Sequence, residues 1–359
     1  MEKLPFTFED IAHAARECMR GSGWKDSVAR WRKNLLGNCR RLESELLSGA
    51  YREGRPHQFR ITSPKERTVS ALLFRDRIVH KLACHQGGLI EDLFRNAFAD
   101  NCACQAGKGT SYAIGRLERQ LHRHYAKYGA SGYVLELDVR HFFDSIPHRS
   151  LVDFVYAKVR NPWTRKTVTR IIDAYPGDRG IGLGSEVSQV LANAYLTPVD
   201  FVCKMRLGCE CYVRYADNIT IVLPETVEGT DGEGNAASMS GRDYARHVLE
   251  GVRYALSTLG LDLNPKSALH PLKQGISFLG FRWKLTASGK IVRKVRRESV
   301  GRMRRKARKL AALVRNGKIT PRQACDSIES WYAYASQATT SAAVRRLADK
   351  FKEQIKCES

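Results

Sequence analysis

Residues 212–223, Tyr-Val-Arg-Tyr-Ala-Asp-Asn-Ile-Thr-Ile-Val-Leu, constrain the fold more than any other stretch. Apolar, β-branched runs flank the turn-prone Ala216-Asp217-Asn218. The pattern predicts a β-hairpin with Asp217 at its tip. A carboxylate held at a rigid tip between dry strands is placed to bind a divalent cation. Asp and Asn also occur in turns for backbone reasons alone, so the tip needs a second acidic group to mean more.

That group lies upstream. Tyr133, Leu135 and Leu137 alternate with Val134, Glu136 and Asp138, which predicts a strand ending in an acid. The chain leaves it through Phe142, Phe143 and Pro147 into a helical pattern over 151–159. If this strand pairs beside the hairpin, Asp138 and Asp217 converge. Two carboxylates can then hold two Mg²⁺ ions roughly 3.5–4 Å apart, as in-line nucleotidyl transfer requires.

Four segments follow one another in a set order: Asp138…Phe143 (D-x-x-x-x-F), Gly184…Ser188 (G-x-x-x-S), Tyr215-Ala216-Asp217-Asn218 and Phe278-Leu279-Gly280-Phe281. Together they resemble a bacterial reverse transcriptase over roughly residues 40–340. The resemblance is nearest to the enzymes of diversity-generating retroelements, with retron and phage-defence enzymes as neighbours. It implies an α+β, right-handed polymerase fold with fingers, an antiparallel palm sheet and a helical thumb. It also implies RNA-templated addition of dNTPs to a 3′-hydroxyl, with template RNA and an RNA–DNA duplex bound.

Carried over residue by residue, Asp138 and Asp217 are catalytic. With Val139 and Asn218 they hold Mg²⁺, which Mn²⁺ can replace. Lys65 and Arg67 of the fingers bind the triphosphate, where fixed cations offset charge building up on the leaving group. Phe143 lies under the sugar and excludes a 2′-hydroxyl. Gly184, Ser188 and Gln189 face nucleotide and template, and Lys266 lies near the triphosphate. Phe278, Leu279 and Gly280 form the primer grip. Gln189 stands where Pro is common, a feature of the diversity-generating group. Gln105 stands where Arg is usual, and Asn218 where a second Asp is usual. Asn keeps the shape and a carbonyl oxygen but removes one negative charge. Two carboxylates still serve if the Asp beside the turn is the lesser ligand. The other class open to this chain is a weak or inactive relative that only binds RNA.

Composition agrees with a polyanionic partner. Lys and Arg number 60 against 37 Asp and Glu, a net +23. An anionic membrane is the rival, but no run of about 18 apolar residues occurs. The opening Met-Glu-Lys-Leu-Pro does not read as a secretory leader, so a cytoplasmic location without a membrane is expected. Ten cysteines are scattered. Cys102/Cys104 and Cys209/Cys211 are C-x-C pairs without zinc spacing, so buried thiols are expected.

Five regions are expected. Residues 1–50 form an N-terminal helical extension with Trp24, Trp31, Leu35, Leu36, Leu42 and Leu46 on apolar faces. Residues 51–131 form the fingers, with a hairpin around Pro64-Lys65-Glu66-Arg67 and a helix from near Asp76. Residues 96–116 are not a P-loop, since Lys108 is followed by Gly109; the Gly107-Lys108-Gly109 loop is expected to approach primer or template. Residues 132–283 form the palm, with a mobile insertion at 224–243. Residues 284–359 form the thumb, carrying 20 Lys and Arg against 6 Asp and Glu, a balance of +14. Its helices are marked by a stripe of Val300, Met303, Ala307, Leu310 and Val314, by a capping box at Thr320-Pro321-Arg322-Gln323, and by Val344, Leu347, Phe351 and Ile355. His80, His141 and His148 are given no catalytic role. No fused nuclease, integrase or maturase segment is visible, so an accessory protein is a further partner open to the chain.

Overall fold

The computed structural model describes residues 4–61, 66–230, 236–339 and 342–355. At the N-terminus Thr7 and Asp10 close a reciprocal capping box on α1 (Phe8–Met19). Asp10 N–H donates to Thr7 Oγ1 at 3.3 Å, and Thr7 N–H donates to Asp10 Oδ2 at 2.8 Å. Helices α2 (Asp26–Lys33) and α3 (Leu35–Leu47) follow. Val28, Cys39, Leu42 and Leu46 bury one face of this group. Trp24 and Leu36, expected on apolar faces, are instead 80% and 57% exposed. Trp24 precedes α2, and Leu36 sits a quarter turn round α3 from Leu35, Cys39, Leu42 and Leu46. The buried residues of these helices belong to the main core.

Strands β1 (His57–Ile61) and β2 (Arg67–Ala71) pair antiparallel, from His57 opposite Ala71 to Ile61 opposite Arg67. The tip, with Lys65, lies outside the described residues. Helix α4 (Phe74–Cys84) starts two residues before Asp76, and α5 (Leu89–Phe94) and α6 (Thr110–Tyr128) come next.

β3 (Tyr133–Asp138) has the expected bounds. It is followed by the single turn α7 (Phe142–Ser145), α8 (His148–Lys158), α9 (Pro162–Asp173), α10 (Glu186–Tyr195) and α11 (Thr197–Phe201). A π-helical turn, Val202–Arg206, leads to β4 (Cys211–Tyr215) and β5 (Asn218–Leu223). The expected mobile insertion forms, in its described part, a β-ribbon of β6 (Thr226–Thr230) and β7 (Ala236–Ser240). A polar composition does not prevent this, because the ladder is made by main-chain groups. Its base is closed by Gly241 N–H donating to Glu225 O at 2.7 Å. Helix α12 (Gly241–Thr258) ends at Gly260, which takes φ +68°. Then come β8 (Ala268–Pro271), β9 (Ile276–Phe278), β10 (Phe281–Leu285) and β11 (Ile291–Val295).

The central sheet has the order β4-β5-β3-β8, all antiparallel. Alternation lets each strand feed two cores. Leu135, Leu137, Ile219 and Ile221 pack with the helices of the main core. Val134, Val213 and Val222 pack on the other side with Leu117 and Leu121 of α6 and Phe278, Phe281 and Trp283 of the smaller β11-β10-β9 sheet.

The expected boundary between 283 and 284 falls inside β10. Phe281, Trp283 and Leu285 alternate as one buried face, so the strand runs past residue 284. The C-terminal helices begin later, as α13 (Arg297–Arg315), α14 (Pro321–Ala335) and α15 (Ala342–Ile355). Thr320 and Gln323 form the expected capping box, with Pro321 at the first turn. Met303, Ala307, Ile328, Phe351 and Ile355 make a separate small core among these three helices.

Candidate active site

The hairpin and the acid-ended strand meet as the sequence requires. Tyr215 pairs with Asn218, so Ala216 and Asp217 make a two-residue turn. Asp138 lies directly opposite Asn218 in the β3–β5 ladder. Asp217 is half-buried. Burial raises its carboxyl above the usual range, and the Asp138 charge adds to this; the Asn218 side chain and Arg67 pull the other way. Asn218 Nδ2 donates to Asp217 Oδ1 at 3.2 Å.

Asp138 is held by the loop before β8, where the sequence points to Lys266 at the site but not to Asn264 or Ser267. Asn264 Nδ2 donates to Asp138 Oδ2 at 2.8 Å. Asn264 N–H donates to Asp138 O at 2.7 Å, and Asp138 N–H donates to Ser267 Oγ at 3.2 Å. Asn264 Oδ1 in turn accepts from Lys266 N–H at 3.0 Å. Lys266 itself is exposed on this loop, and Val139 is buried, bridged antiparallel to Leu263.

A buried polar network underlies the Asp217 turn. Arg214 and Asp200 are both fully buried. Arg214 Nε and Nη2 donate to Asp200 Oδ1 at 2.6 Å and Oδ2 at 2.5 Å. Arg214 Nη1 donates to Asn193 Oδ1 at 2.7 Å and to the Ala216 carbonyl at 3.0 Å. Tyr212 Oη donates to Asp200 Oδ1 at 2.5 Å. Burial works against the guanidinium charge, but the Asp200 carboxylate outweighs it and holds Arg214 above its ordinary range. Asn193 Nδ2 donates to Asn101 Oδ1 and to Ala103 O, tying in the loop before α6. One signal was available in the sequence: the β4 alternation turns Arg214 to the same side as buried Tyr212, and a charge there needs a partner.

The remaining expected residues divide. Arg67 is exposed on β2 and acts electrostatically on Asp217. Phe143 is half-buried with its ring 5.5 Å from that of Phe142. Gln189 is exposed on α10. Ser188 is not available to a nucleotide: it is 1% exposed, its N–H donates to Ser185 Oγ, and its hydroxyl lies 3.0 Å from Tyr175 Oη. It faces the core because α10 turns Val187, Ser188 and Leu191 inward together. Gly184, at φ +117°, is exposed and lines a pocket with Gln189, and it also packs close to β2: a Cβ there would sit 2.5 Å from Ser70 O, and Ser70 N–H donates to Leu183 O at 2.8 Å.

The Gly107-Lys108-Gly109 loop does not offer its amine outward. Lys108 Nζ donates to Asn101 O and to Gln105 Oε1, both at 2.8 Å, and burial lowers its pKa. Phe278 is buried, and Leu279 and Gly280 take φ +47° and +79° in a two-residue turn. Tyr334 of α14 donates to Leu279 O at 2.9 Å and packs on Phe281 with ring centroids 4.7 Å apart. His80 is buried with Nδ1 at 2.7 Å from Ser185 Oγ and Nε2 at 2.6 Å from Glu53 Oε1. Burial pushes the Cys102 and Cys211 thiols up to about 12.

Asp138, Asp217 and the Asn218 amide form a donor set of hard oxygens, which suits a hard divalent cation. A cation would also relieve the like charge that raises Asp217. Among the described residues no group of three or more His, Cys, Asp or Glu could hold a metal ion, so the set rests on two carboxylates. No helix of the described residues is long and apolar enough to cross a membrane.

A search of curated proteins finds no match. The family model described as "Reverse transcriptase (RNA-dependent DNA polymerase)" matches residues 63–283, more than half of the chain. That span runs from the β1–β2 turn through the Asp138 strand, the Asp217 hairpin and the Phe278 turn. The chain therefore belongs to the reverse transcriptase family and is an RNA-directed DNA polymerase.

Proposed function

We propose that the protein extends a primer 3′-hydroxyl with dNTPs on an RNA template, using Asp138 and Asp217 as its catalytic carboxylates. The observation that carries this is the register: Asp138 stands opposite Asn218, beside the turn that bears Asp217. Asp138, Asp217, the Asn218 side-chain oxygen and the Val139 carbonyl would hold Mg²⁺, or Mn²⁺ in its place. When bound, divalent ions lower the pKa of the attacking hydroxyl and stabilise the leaving pyrophosphate.

The protein's own groups then have separate tasks. Asn264 and Ser267 fix Asp138 from below. Arg67, with Lys65 and Lys266, supplies fixed positive charge for the triphosphate. Phe143 supports the sugar and selects against a 2′-hydroxyl. The Leu279-Gly280 turn holds the primer, and α13–α15 grip the duplex through phosphates. In this assignment β1 and β2 belong to fingers, the β4-β5-β3-β8 sheet to the palm and α13–α15 to a thumb. Ser188-Gln189 favours the diversity-generating group over retron and phage-defence relatives, with Ser188 contributing through packing.

Primer extension on an RNA template with Mg²⁺ or Mn²⁺ tests the proposal. Asp138→Ala and Asp217→Ala should each abolish extension while RNA binding stays within a few-fold. Wild-type rates from either variant would remove the assignment. A second reading, RNA binding without polymerisation, is favoured by one observation: the Asn218 amide is already turned to Asp217. Wild-type protein that binds RNA but extends no primer with either metal would select it.

A further inference from the structure

We propose that Arg214 is a positioning residue that holds Asp217 toward Asp138 by clamping the Ala216 carbonyl. This rests on the proposed role of Asp217 as a catalytic carboxylate.

Ala216 takes φ +53°, the left-handed region that residues with a Cβ disfavour. It immediately precedes Asp217, so its peptide plane sets the direction from which the carboxylate leaves the turn. Something must hold that conformation, and one side chain is built to do so. A guanidinium is a rigid planar fork, so fixing one edge fixes the other. Asp200 fixes one edge of Arg214 with two bonds of 2.6 and 2.5 Å. Tyr212 holds Asp200 in turn. The other edge is shared between Asn193 Oδ1 and Ala216 O. Asp200 belongs to α11, Asn193 to α10, and Asn193 is tied to Asn101 and Ala103. Two helices and a loop thus converge on one carbonyl of the turn. A buried ion pair needed only for packing would not require the bond to Ala216.

Lysine at this position keeps the charge but cannot hold Asp200 and Ala216 O at once. Glycine at 216 takes positive φ without the cost a Cβ imposes, so it removes the need for the clamp. The test uses the full chain and measures three things: melting temperature, Mn²⁺ affinity by calorimetry without nucleic acid, and primer extension resolved into kcat and the KM for dNTP. Arg214→Lys should weaken Mn²⁺ binding and lower kcat by about 10–100-fold, the range seen when the support of a metal ligand is removed. The KM for dNTP should stay within about two-fold. Adding Ala216→Gly should recover several-fold of both losses without recovering the melting temperature. Val155→Ala, a core change in α8, which carries none of the network's residues, should lower the melting temperature and leave Mn²⁺ affinity alone.

If Arg214→Lys does not fold, Asp200→Asn weakens the same pin with a neutral isostere, and Ala216→Gly should rescue it in the same way. Unchanged Mn²⁺ affinity despite a lower melting temperature, or no rescue by Ala216→Gly, would overturn the positioning role. Wild-type protein that binds Mn²⁺ but extends no primer would sink the proposed polymerisation instead, while affinity and rescue still judge Arg214.

Discussion

Asn264→Ala cuts the one side-chain bond that, among the described residues, orients the Asp138 carboxylate. Asn264 Nδ2 donates to Asp138 Oδ2 at 2.8 Å, and a hydrogen bond to a charged group contributes about 1.5–3 kcal/mol. Asn264 is only partly buried, so the lower part of that range applies, about 1.5–2 kcal/mol. The main-chain bonds from Asn264 N–H to Asp138 O and from Asp138 N–H to Ser267 Oγ survive, so β3 keeps its place. The loss should therefore fall on the carboxylate's direction and not on the fold. If that direction matters only in the transition state, kcat/KM falls by about 10–30-fold, since about 1.4 kcal/mol is a factor of ten. Steady-state primer extension with dNTP varied reads this, and the loss should sit in kcat. Asn264→Asp should do worse, because it sets a like charge against Asp138 Oδ2. A folded Asn264→Ala enzyme within two-fold of wild type would refute the reasoning. A loss confined to the KM for dNTP would move the loop's role to the nucleotide.

Asp217→Asn should abolish extension yet raise the melting temperature of metal-free protein at pH 7–8. The Asp217 pKa is raised in the folded state, so its contribution to stability is present below about pH 4 and lost as pH rises through the folded value; the gain from Asn should vanish in acid. Melting curves in chelator across pH check this, and a variant no more stable than wild type at pH 8 would contradict it. Asn218→Asp should leave the fold intact and not lower extension at millimolar Mg²⁺, because an added carboxylate tightens the metal more than it repels once ions are bound. A folded but dead Asn218→Asp enzyme would show that the site depends on the amide. Duplex affinity should fall steeply with salt, with a log–log slope near −0.9 per phosphate contact if the duplex behaves like B-DNA; a flat dependence would assign the basic helices another task.

The site was legible in the sequence wherever local pattern decides structure. β3 was visible because its alternation marks both its ends, and the hairpin because β-branched runs flank a turn. What stayed hidden depends on contacts distant in the chain. Asn264 and Asp138 are 126 residues apart, and neither Asn264 nor Ser267 carries a period that would mark it. The family motif sets Ser188 toward the nucleotide, yet the helical face of α10 buries it. Lys108 looked like a cation for a backbone outside, until three-dimensional packing supplied carbonyls closer by. The polar 224–243 stretch misled in the opposite sense, since a ladder needs no apolar side chains.

That ribbon also gives the molecule an attachment point. β5 has six residues, with Asn218 at the catalytic end and Leu223 at the other, a separation of about 17 Å at 3.4 Å per residue. The ribbon starts at Thr226, beyond the far end, and Ser238 on β7 is exposed. Of the described cysteines, all but the half-buried Cys104 are buried. A Ser238→Cys thiol would be far more open to a maleimide dye than these. A fluorophore placed there would ride on the ribbon that follows β5, the strand leaving the catalytic turn, without crowding that turn, giving a reference from which distances to a labelled primer could be followed one molecule at a time.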